Sequence, residues 1–213
     1  MTHPQDRPAT ASADVERWNQ RFAQPDFVFG EEPNAWLRAH AYHWRAGQRV
    51  LCVADGEGRN SVWLAQQGLR LEAFDISPVG VAKARGLAQR RGVQVDYQVA
   101  DCDGFAWPRA AYDGVAAIFV QFADPAMRAR LFTRIVDSLA PGGVLVLQGY
   151  TPQQLVYRTG GPAQVENLYT EALLRASFGA LELLTLSDYE AEVDEGAGHR
   201  GRSALIGLVA RKR

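Results

Sequence analysis

The feature that most constrains the fold is a regular alternation of strand-like and helix-like segments from residue 50 onward. The run "RVLCVA" (49–54) is suited to a strand buried on both faces, and "NSVWLAQQG" (60–68) follows it as a helix that ends at a glycine. Repeats of this kind form βαβ units, and such units build a parallel sheet with helices on both sides.

The alternation continues to residue 150 and then changes. Two strand-like runs end the chain, and the eight residues between them, "DEGAGHRG", are too few for a crossover helix, so the two strands must pair antiparallel. The sequence therefore predicts an α/β fold: a Rossmann-like, doubly wound, seven-stranded sheet of five parallel strands plus a C-terminal antiparallel hairpin. After the first strand, the predicted strands lie at 70–76, 93–100, 112–120, 142–150, 181–193 and 202–212.

Length and composition set the domain organisation and exclude some partners. The 213 residues suit one domain, predicted over 14–213, after a polar leader, 1–13, that we expect to be disordered. A net charge of −1 and the lack of an 18-residue apolar run disfavour nucleic acid and membrane partners. Cys52 and Cys102 are too few for a disulfide framework or metal cluster and indicate buried thiols. We expect a cytoplasmic, metal-free monomer or dimer.

A glycine-bearing turn, "ADGEG" (54–58), follows the first strand. In open α/β sheets the ligand binds beyond the carboxyl ends of the strands, near the point where the strand order reverses. Gly56 and Gly58 lie there, and glycine lets the backbone approach a ligand closely. The third glycine of a dinucleotide fingerprint and the G-K-[ST] of a phosphate-binding loop are absent from this stretch, which disfavours a nicotinamide cofactor and a phosphate cradle.

Two carboxylates follow the next two predicted strands. Asp75 ends the second strand, where an acceptor-only group can bind both hydroxyls of a ribose. Asp101 ends the third strand, where it can accept a hydrogen bond from an adenine amine, with the backbone of Cys102 or Asp103 alongside. The alternative is that both aspartates only form turns or cap helices. Their places after successive strands favour a cofactor site.

The segments "VLCVADGEGRN", "AFDIS", "VAD", "YDGVAAIF" and "LAPGGVLVLQGY" together resemble the class I S-adenosylmethionine-dependent methyltransferases, whose sheet also ends in an antiparallel hairpin. More narrowly, "RWNQRF", "GEGRN" and "GHRGRSALIGLVARK" resemble bacterial small-molecule methyltransferases of the tellurite-resistance type and, more faintly, thiopurine methyltransferases. The resemblance covers residues 15–213 and implies S-adenosylmethionine as the cofactor. The cofactor-binding residues expected from it and from the loop are Trp18, Ala54, Asp55, Gly56, Gly58, Asn60, Asp75, Ile76, Asp101 and Cys102.

The chain departs from this family at two positions. Cys52 stands where the family usually has an acid that helps to orient the methionine end of the cofactor, and Ala54 stands where it usually has glycine. We expect Ala54 to be tolerated if its φ is negative. Asp55 or Glu57 is hypothesised to replace the missing acid, and a relative without cofactor binding is the alternative.

Candidates for the acceptor side lie in the second half of the chain. The resemblance implies a His199–Arg200 pair, with His199 as base or hydrogen-bond partner and Arg200 as anion clamp; a solvated hairpin turn is the alternative. Gln121 follows the fourth strand and is expected to face the substrate. Tyr157 and Arg158 lie in 151–169, a segment long enough to form a lid over an anionic or aromatic substrate.

Aromatic residues near the amino end have two possible roles. Trp18, Phe27, Phe29 and Trp36 would pack either on the cofactor's sulfonium or in the core. The functional hypothesis is S-adenosylmethionine-dependent methyl transfer to a small molecule, with a thiol or a chalcogen oxyanion as candidate acceptors. A cofactor-binding regulatory protein with little turnover is the alternative, and a nicotinamide oxidoreductase is disfavoured.

Overall fold

The strands form one mixed sheet in the order β3-β2-β1-β4-β5-β7-β6. The computed structural model describes residues 9–196 and 198–213. Neighbours among the first five strands pair parallel, and β7 pairs antiparallel with both β5 and β6. This confirms the predicted fold class. The strands are β1 (Arg49–Val53), β2 (Arg70–Asp75), β3 (Val95–Val99), β4 (Tyr112–Ile118), β5 (Leu139–Tyr150), β6 (Leu181–Asp194) and β7 (Arg200–Lys212).

Helices cover both faces of the sheet. Several of them begin at a side-chain cap: Ser77, Asp124 and Thr170 each accept a hydrogen bond from a backbone N–H three residues further on. Two short 3₁₀ turns, Ala41–His43 and Val165–Asn167, lie between them. The helices are α1 (Ala9–Phe22), α2 (Ala35–His40), α3 (Arg59–Gln66), α4 (Pro78–Arg90), α5 (Pro125–Ser138), α6 (Gln154–Tyr157) and α7 (Glu171–Ser177).

The amino-terminal boundary differs from the prediction. Helix α1 begins at Ala9, inside the leader, 1–13, that we expect to be disordered, and residues 1–8 of that leader lie outside the described residues. Within the described parts of the chain, no helix is long and apolar enough to cross a bilayer. Cys52 and Cys102 are both buried and free.

The two faces of β1 bury different apolar sets, as its continuous apolar run predicts. Leu51 packs in a core with Leu131 of α5 on one face. Val50 packs with Leu64 of α3 and Val81 of α4 on the other. Because β1 and β4 are adjacent while β1 also pairs with β2, the strand order reverses between β1 and β4. Their carboxyl ends therefore form the crevice in which ligands of such sheets bind.

We expect Gly58→Ala to destabilise the fold strongly. Gly58 has φ +91°, and a Cβ there would lie 2.7 Å from the Cβ of Ala84 and 2.8 Å from the hydroxyl of Tyr97. Overpacking and backbone strain together predict a loss of about 2–4 kcal/mol in the free energy of unfolding, measured by urea denaturation. Gly92→Ala is the matched control, since φ is +68° and no heavy atom lies within 4 Å. It should lose only about 1 kcal/mol.

Candidate functional site

The glycine loop, residues 54–58, leads from β1 to α3 with three residues in the left-handed region. The φ angles are +49° at Ala54, +61° at Gly56 and +91° at Gly58. Gly56 and Gly58 adopt this conformation freely, but Ala54 carries a Cβ that costs about 1–2 kcal/mol there. The expectation of a negative φ at Ala54 is therefore wrong. The loop keeps the conformation that the family's glycine favours, and strain is stored at the alanine.

A second strained residue ends the neighbouring strand. Phe119 directly follows β4 and has φ +55°. Ala54 and Phe119 thus lie at the carboxyl ends of two adjacent strands, on the two sides of the crevice. Non-glycine residues in this region cluster at ligand sites because the surrounding structure holds them there for a functional reason. Both residues are partly exposed, although the strands that lead to them are largely buried.

The two predicted aspartates lie at the ends of β2 and β3. Asp75 accepts hydrogen bonds from the backbone N–H groups of Gly56 and Ser77, both at 2.9 Å. Asp101 uses one oxygen to accept from the N–H groups of Asp103 (3.0 Å) and Gly104 (2.6 Å). Both therefore shape turns, as the alternative hypothesis holds. A carboxylate has about four acceptor positions, so both also keep capacity for a ligand. Burial raises the pKa of Asp75 to about 6.

Neither acid of the glycine loop is free to orient a cofactor. Asp55 accepts a hydrogen bond from the hydroxyl of Ser61, which contacts the hydroxyl of Tyr97 at 2.8 Å. Although Asp55 retains some exposed surface, burial raises the pKa of its carboxyl to about 7. Glu57 accepts from the backbone N–H of Val28 at 2.8 Å and lies 2.5 Å from the ammonium of Lys83. The structure thus gives no support to either acid as a replacement for the one missing at Cys52.

The amino-terminal segment packs directly on the glycine loop. A Cβ at Gly56 would lie 3.2 Å from the ring of Phe22, which stacks on Trp18 with ring centroids 5.4 Å apart. Arg21 lies over the rings of Trp18 (5.4 Å) and Phe29 (5.0 Å). No carboxylate pairs with Arg21 among the described residues. The segment therefore places an aromatic group and a cation beside the loop.

A buried polar network joins the start of α3 to the terminal hairpin. Arg59 donates to Glu195 at 2.7 Å and to the carbonyl of Phe29 at 3.1 Å. Asn34 donates to Gln148 at 2.6 Å and to Glu195 at 3.0 Å. Burial opposes ionisation of Glu195, but the adjacent Arg59 and the backbone N–H of Ala35 outweigh it and lower the pKa of this carboxyl to about 2. Glu195 is thus a carboxylate at neutral pH.

His199 lies inside the molecule, so the alternative of a solvated hairpin turn is wrong. The residue is only 7% exposed, and its ring packs against Phe29 (4.6 Å), Phe119 (4.5 Å) and Tyr150 (5.7 Å). Its Nδ1 lies 3.9 Å from Glu195, which is too long for a hydrogen bond. Burial lowers the pKa of His199, so the ring is neutral at pH 7. A neutral imidazole beside a carboxylate can accept a proton.

A cleft of about 340 Å³ opens beside this cluster. It lies between the segment that precedes α2 and the end of β6, and it reaches Phe119 at the end of β4. The side chains of Phe29, Phe119 and Tyr189 give it aromatic walls. It is also lined by Gly30, Glu31, Glu32, Pro33, Ala35, Gln148, Ala191, Glu192, Val193, Asp194, Glu195, Gly196 and Leu205.

Comparison with known proteins agrees with this geometry. Residues 50–143 match the sequence family described as "Methyltransferase domain". The demethylmenaquinone methyltransferase of Thermus thermophilus is 29% identical over 147 residues, 66% of each chain. The crystal structure of the N-methyltransferase NodS from Bradyrhizobium japonicum, in complex with S-adenosyl-L-homocysteine, covers 93% of this chain and 97% of its own, with a TM-score of 0.68 and 17% identity.

Residues 50–143 are thus similar to a methyltransferase domain. These findings confirm the predicted fold and support the predicted S-adenosylmethionine-dependent methyltransferase and its cofactor. TehB from Haemophilus influenzae is 18% identical with a TM-score of 0.66 over 84% of this chain and 61% of its own, a likeness that shows the fold alone. The chain spans 66%, 58% and 38% of the lengths of three curated relatives that it matches.

Three predicted acceptor-side residues lie outside the cleft. Arg200 donates to Asp194 at 2.9 Å, and both side chains are largely exposed, so Arg200 clamps no anion here. The hydroxyl of Tyr157 donates to Glu190 at 2.5 Å on β6. Arg158 is exposed and ends α6 with φ +55°. Nothing in the local sequence indicates that β6 supplies the acidic partners, Glu190 and Asp194, of Tyr157 and Arg200.

The prediction of Gln121 as a substrate-facing residue is also not supported. Its amide donates to the carbonyls of Tyr150 (2.9 Å) and Asn167 (3.1 Å), and its oxygen accepts from the N–H of Tyr150 at 2.6 Å. Gln121 therefore braces the end of β5. Asn60 also has a structural partner, because its oxygen accepts from the N–H of Asn34 at 3.0 Å.

The remaining cofactor-binding predictions stay open on the described geometry. Ile76 follows β2 and is partly exposed at the crevice. Cys102 is buried, its carbonyl already accepts from the indole of Trp107 at 2.9 Å, and burial raises its thiol pKa to about 12. Of the aromatic set, Phe27 packs under the ammonium of Lys83 at 4.7 Å.

Sequence reasoning missed four residues that shape this site. They are Arg21, Arg59, Tyr150 and Glu195. Arg21 lies in the motif "RWNQRF" and Arg59 in "GEGRN". A basic residue beside aromatic or loop residues was the signal that could have identified them. Tyr150 and Glu195 carry no such local signal.

Removing one partner of the buried ion pair should destabilise the fold strongly. Glu195→Gln leaves the guanidinium of Arg59 charged and buried, with side-chain exposures of 7% and 14% in the native pair. We expect a loss of about 3–5 kcal/mol in urea denaturation. Asp194→Asn, which removes the exposed partner of Arg200 one residue earlier, is the control and should cost less than about 1 kcal/mol. Equal losses in the two variants would contradict the role of the buried pair.

The raised pKa of Asp55 predicts a pH dependence of stability. A carboxyl whose folded pKa, about 7, exceeds its ordinary value of 3.8 favours folding below pH 4, and this contribution is lost as pH rises through 7. The free energy of unfolding should therefore fall between pH 5 and 8, and Asp55→Asn should reduce that fall. Urea denaturation of the two proteins at pH 5 and at pH 8 measures this fall. If the free energy of unfolding fell equally in the wild type and in Asp55→Asn, the carboxyl would titrate normally.

Proposed function

We propose that this protein is a cytoplasmic enzyme that transfers the methyl group of S-adenosylmethionine to a small molecule. The observation that carries the proposal is the crevice between β1 and β4. Its two sides end in the strained residues Ala54 and Phe119, and the carboxylates Asp75 and Asp101 follow the next two strands. Two buried free cysteines support the location, because oxidising compartments favour disulfides.

The residues at the crevice fit the cofactor. Asp75 would hold the ribose hydroxyls and Asp101 the adenine amine, since each keeps acceptor capacity after its backbone bonds. Arg21, which has no acidic partner among the described residues, would hold the methionine carboxylate and so orient the end of the cofactor that an acid at position 52 would otherwise orient. Trp18 and Phe29 beside it present aromatic faces, which favour a cation such as a sulfonium.

S-adenosylmethionine supplies an electrophilic methyl group and leaves as a neutral thioether. The protein's part is to align the acceptor and exclude water, and alignment contributes up to about 7–11 kcal/mol in well-oriented reactions. His199 is neutral and lies beside the ionised Glu195, so it accepts a proton from the acceptor and the carboxylate stabilises the resulting imidazolium. The cleft beside it holds the acceptor.

A small-molecule acceptor is supported by the size of the cleft. Its volume of about 340 Å³ lies at the lower end of the range for drug-sized ligands, and the hairpin and the segment before α2 close it on two sides. Some relatives are named for small acceptors, such as demethylmenaquinone, whereas one is named for ribosomal protein L11. The narrower likeness to the tellurite-resistance type makes a thiol or a chalcogen oxyanion candidates to be tested alongside others.

Calorimetric titration with S-adenosylmethionine, with NAD as control ligand, tests the cofactor. We expect micromolar binding of the first and none of the second. Asp75→Asn should weaken binding about 10- to 150-fold, because hydrogen bonds to a charged acceptor contribute about 1.5–3 kcal/mol. Asp137→Asn, an exposed acid at the end of α5, should bind as the wild type does. Binding without turnover on any acceptor would favour the regulatory alternative, and no binding at all would overturn the proposal.

A further inference from the structure

Two neighbouring polar groups lack hydrogen-bond partners among the described residues. They are the hydroxyl of Tyr150 and the Nδ1 of His199. Their residues are 1% and 7% exposed, and the ring centroids lie 5.7 Å apart. Buried polar groups are bonded in the large majority of cases, and each exception needs an explanation. Two exceptions side by side indicate a place where an atom of a ligand completes the bonding.

The pair lies behind two walls of the 340 Å³ cleft, because the ring of His199 packs against Phe29 and Phe119, which line it. Tyr150 stands two residues after Gln148 on β5, so both side chains face the same side of the sheet, and Gln148 lines the cleft. Leu205, another lining residue, is the cross-strand partner of Tyr150. The ring of Phe119, at the end of β4, stacks on Tyr150 at 4.7 Å. The unpartnered groups thus adjoin residues that line the cleft and the end of β4.

The walls of the cleft indicate what kind of molecule it takes. No lysine, arginine or histidine is among the described residues that line it. Along β6, Glu192 and Asp194 alternate with the cleft-facing Ala191 and Val193, so their side chains point to the opposite face. The other lining residues are largely apolar and aromatic, apart from Gln148 and the acids Glu31, Glu32 and Glu195. Glu31 and Glu195 are each paired with an arginine. Such a cleft disfavours an oxyanion and favours an apolar or aromatic body.

Resting on the methyltransferase function proposed above, we propose that the acceptor is an apolar or aromatic small molecule with a neutral hydroxyl, thiol or amine, and that Tyr150 is a catalytic residue. Tyr150 bonds the nucleophilic atom and holds it beside His199. That atom forms a bond to the methyl carbon as the carbon–sulfur bond breaks, and the bonding electron pair stays on sulfur. The proton of the nucleophile passes to His199 and from there to solvent.

Equilibrium binding of two probes tests the site without requiring turnover. The probes are 4-methylphenol and toluene, which differ by one hydroxyl, and the full chain is titrated with and without S-adenosylhomocysteine. We expect the wild type to prefer 4-methylphenol by about tenfold or more, because a site built to bond a hydroxyl rejects the analogue that lacks it. Tyr150→Phe should reduce the preference to about threefold or less.

Tyr169→Phe is the matched control. Tyr169 is also fully buried with an unpartnered hydroxyl, but it packs with Phe132 in the core on the other face of the sheet. It should keep the wild-type preference for 4-methylphenol. Tyr150→Phe should also leave the melting temperature within about 1 °C of the wild type or raise it, because the hydroxyl has no partner to lose.

Three results would overturn the proposal. They are equal binding of the two probes by the wild type, an unchanged preference in Tyr150→Phe, and tighter binding of selenite than of 4-methylphenol. A drop of several degrees in the melting temperature of Tyr150→Phe would assign its hydroxyl to the fold and count against the catalytic role. If S-adenosylmethionine did not bind but the preference for 4-methylphenol remained, the cofactor proposal would be wrong and the proposed acceptor site would still be supported.

Discussion

The buried ion pair between Arg59 and Glu195 is the interaction on which the rest of the site depends. Arg59 begins α3 directly after the glycine loop, and Glu195 lies in the turn between β6 and β7, 136 positions later in the chain. Asn34 and Phe29, from the segment before α2, bond to the same two side chains. One pair therefore fixes three distant segments around the crevice and the cleft.

Close backbone contact makes this arrangement possible. A Cβ at Gly196 would lie 2.5 Å from the carbonyl oxygen of Val28, and one at Gly198 would lie 2.5 Å from the ring of Phe29. The glycines of "DEGAGHRG" let the hairpin turn press against the amino-terminal segment, and that contact buries His199. The position of the turn thus depends on its contacts with the amino-terminal segment, whereas its composition alone is also typical of a solvated loop.

This difference explains how far the sequence could predict the structure. Apolar runs and glycine punctuation are local, so the strands, their mixed pairing and the places of Asp75 and Asp101 were predictable. Side-chain direction at strand ends depends on tertiary partners. The roles predicted for Gln121 and Arg200 are not supported because these side chains form hydrogen bonds with Tyr150 and Asp194. The φ of Ala54 was missed for another reason. When the surrounding fold holds an alanine at positive φ, the residue type alone does not reveal that conformation.

Glu195 links the stability of the site to its chemistry. The guanidinium of Arg59 helps to keep this carboxyl ionised, yet the same positive charge disfavours protonation of the nearby His199. Burial acts in the same direction on the histidine, so its imidazole is neutral when an acceptor arrives. Once a proton is taken, the carboxylate 3.9 Å away partly stabilises the imidazolium, while Arg59 and burial favour its release. A group that accepts a proton and does not retain it suits a base that must be regenerated in every cycle.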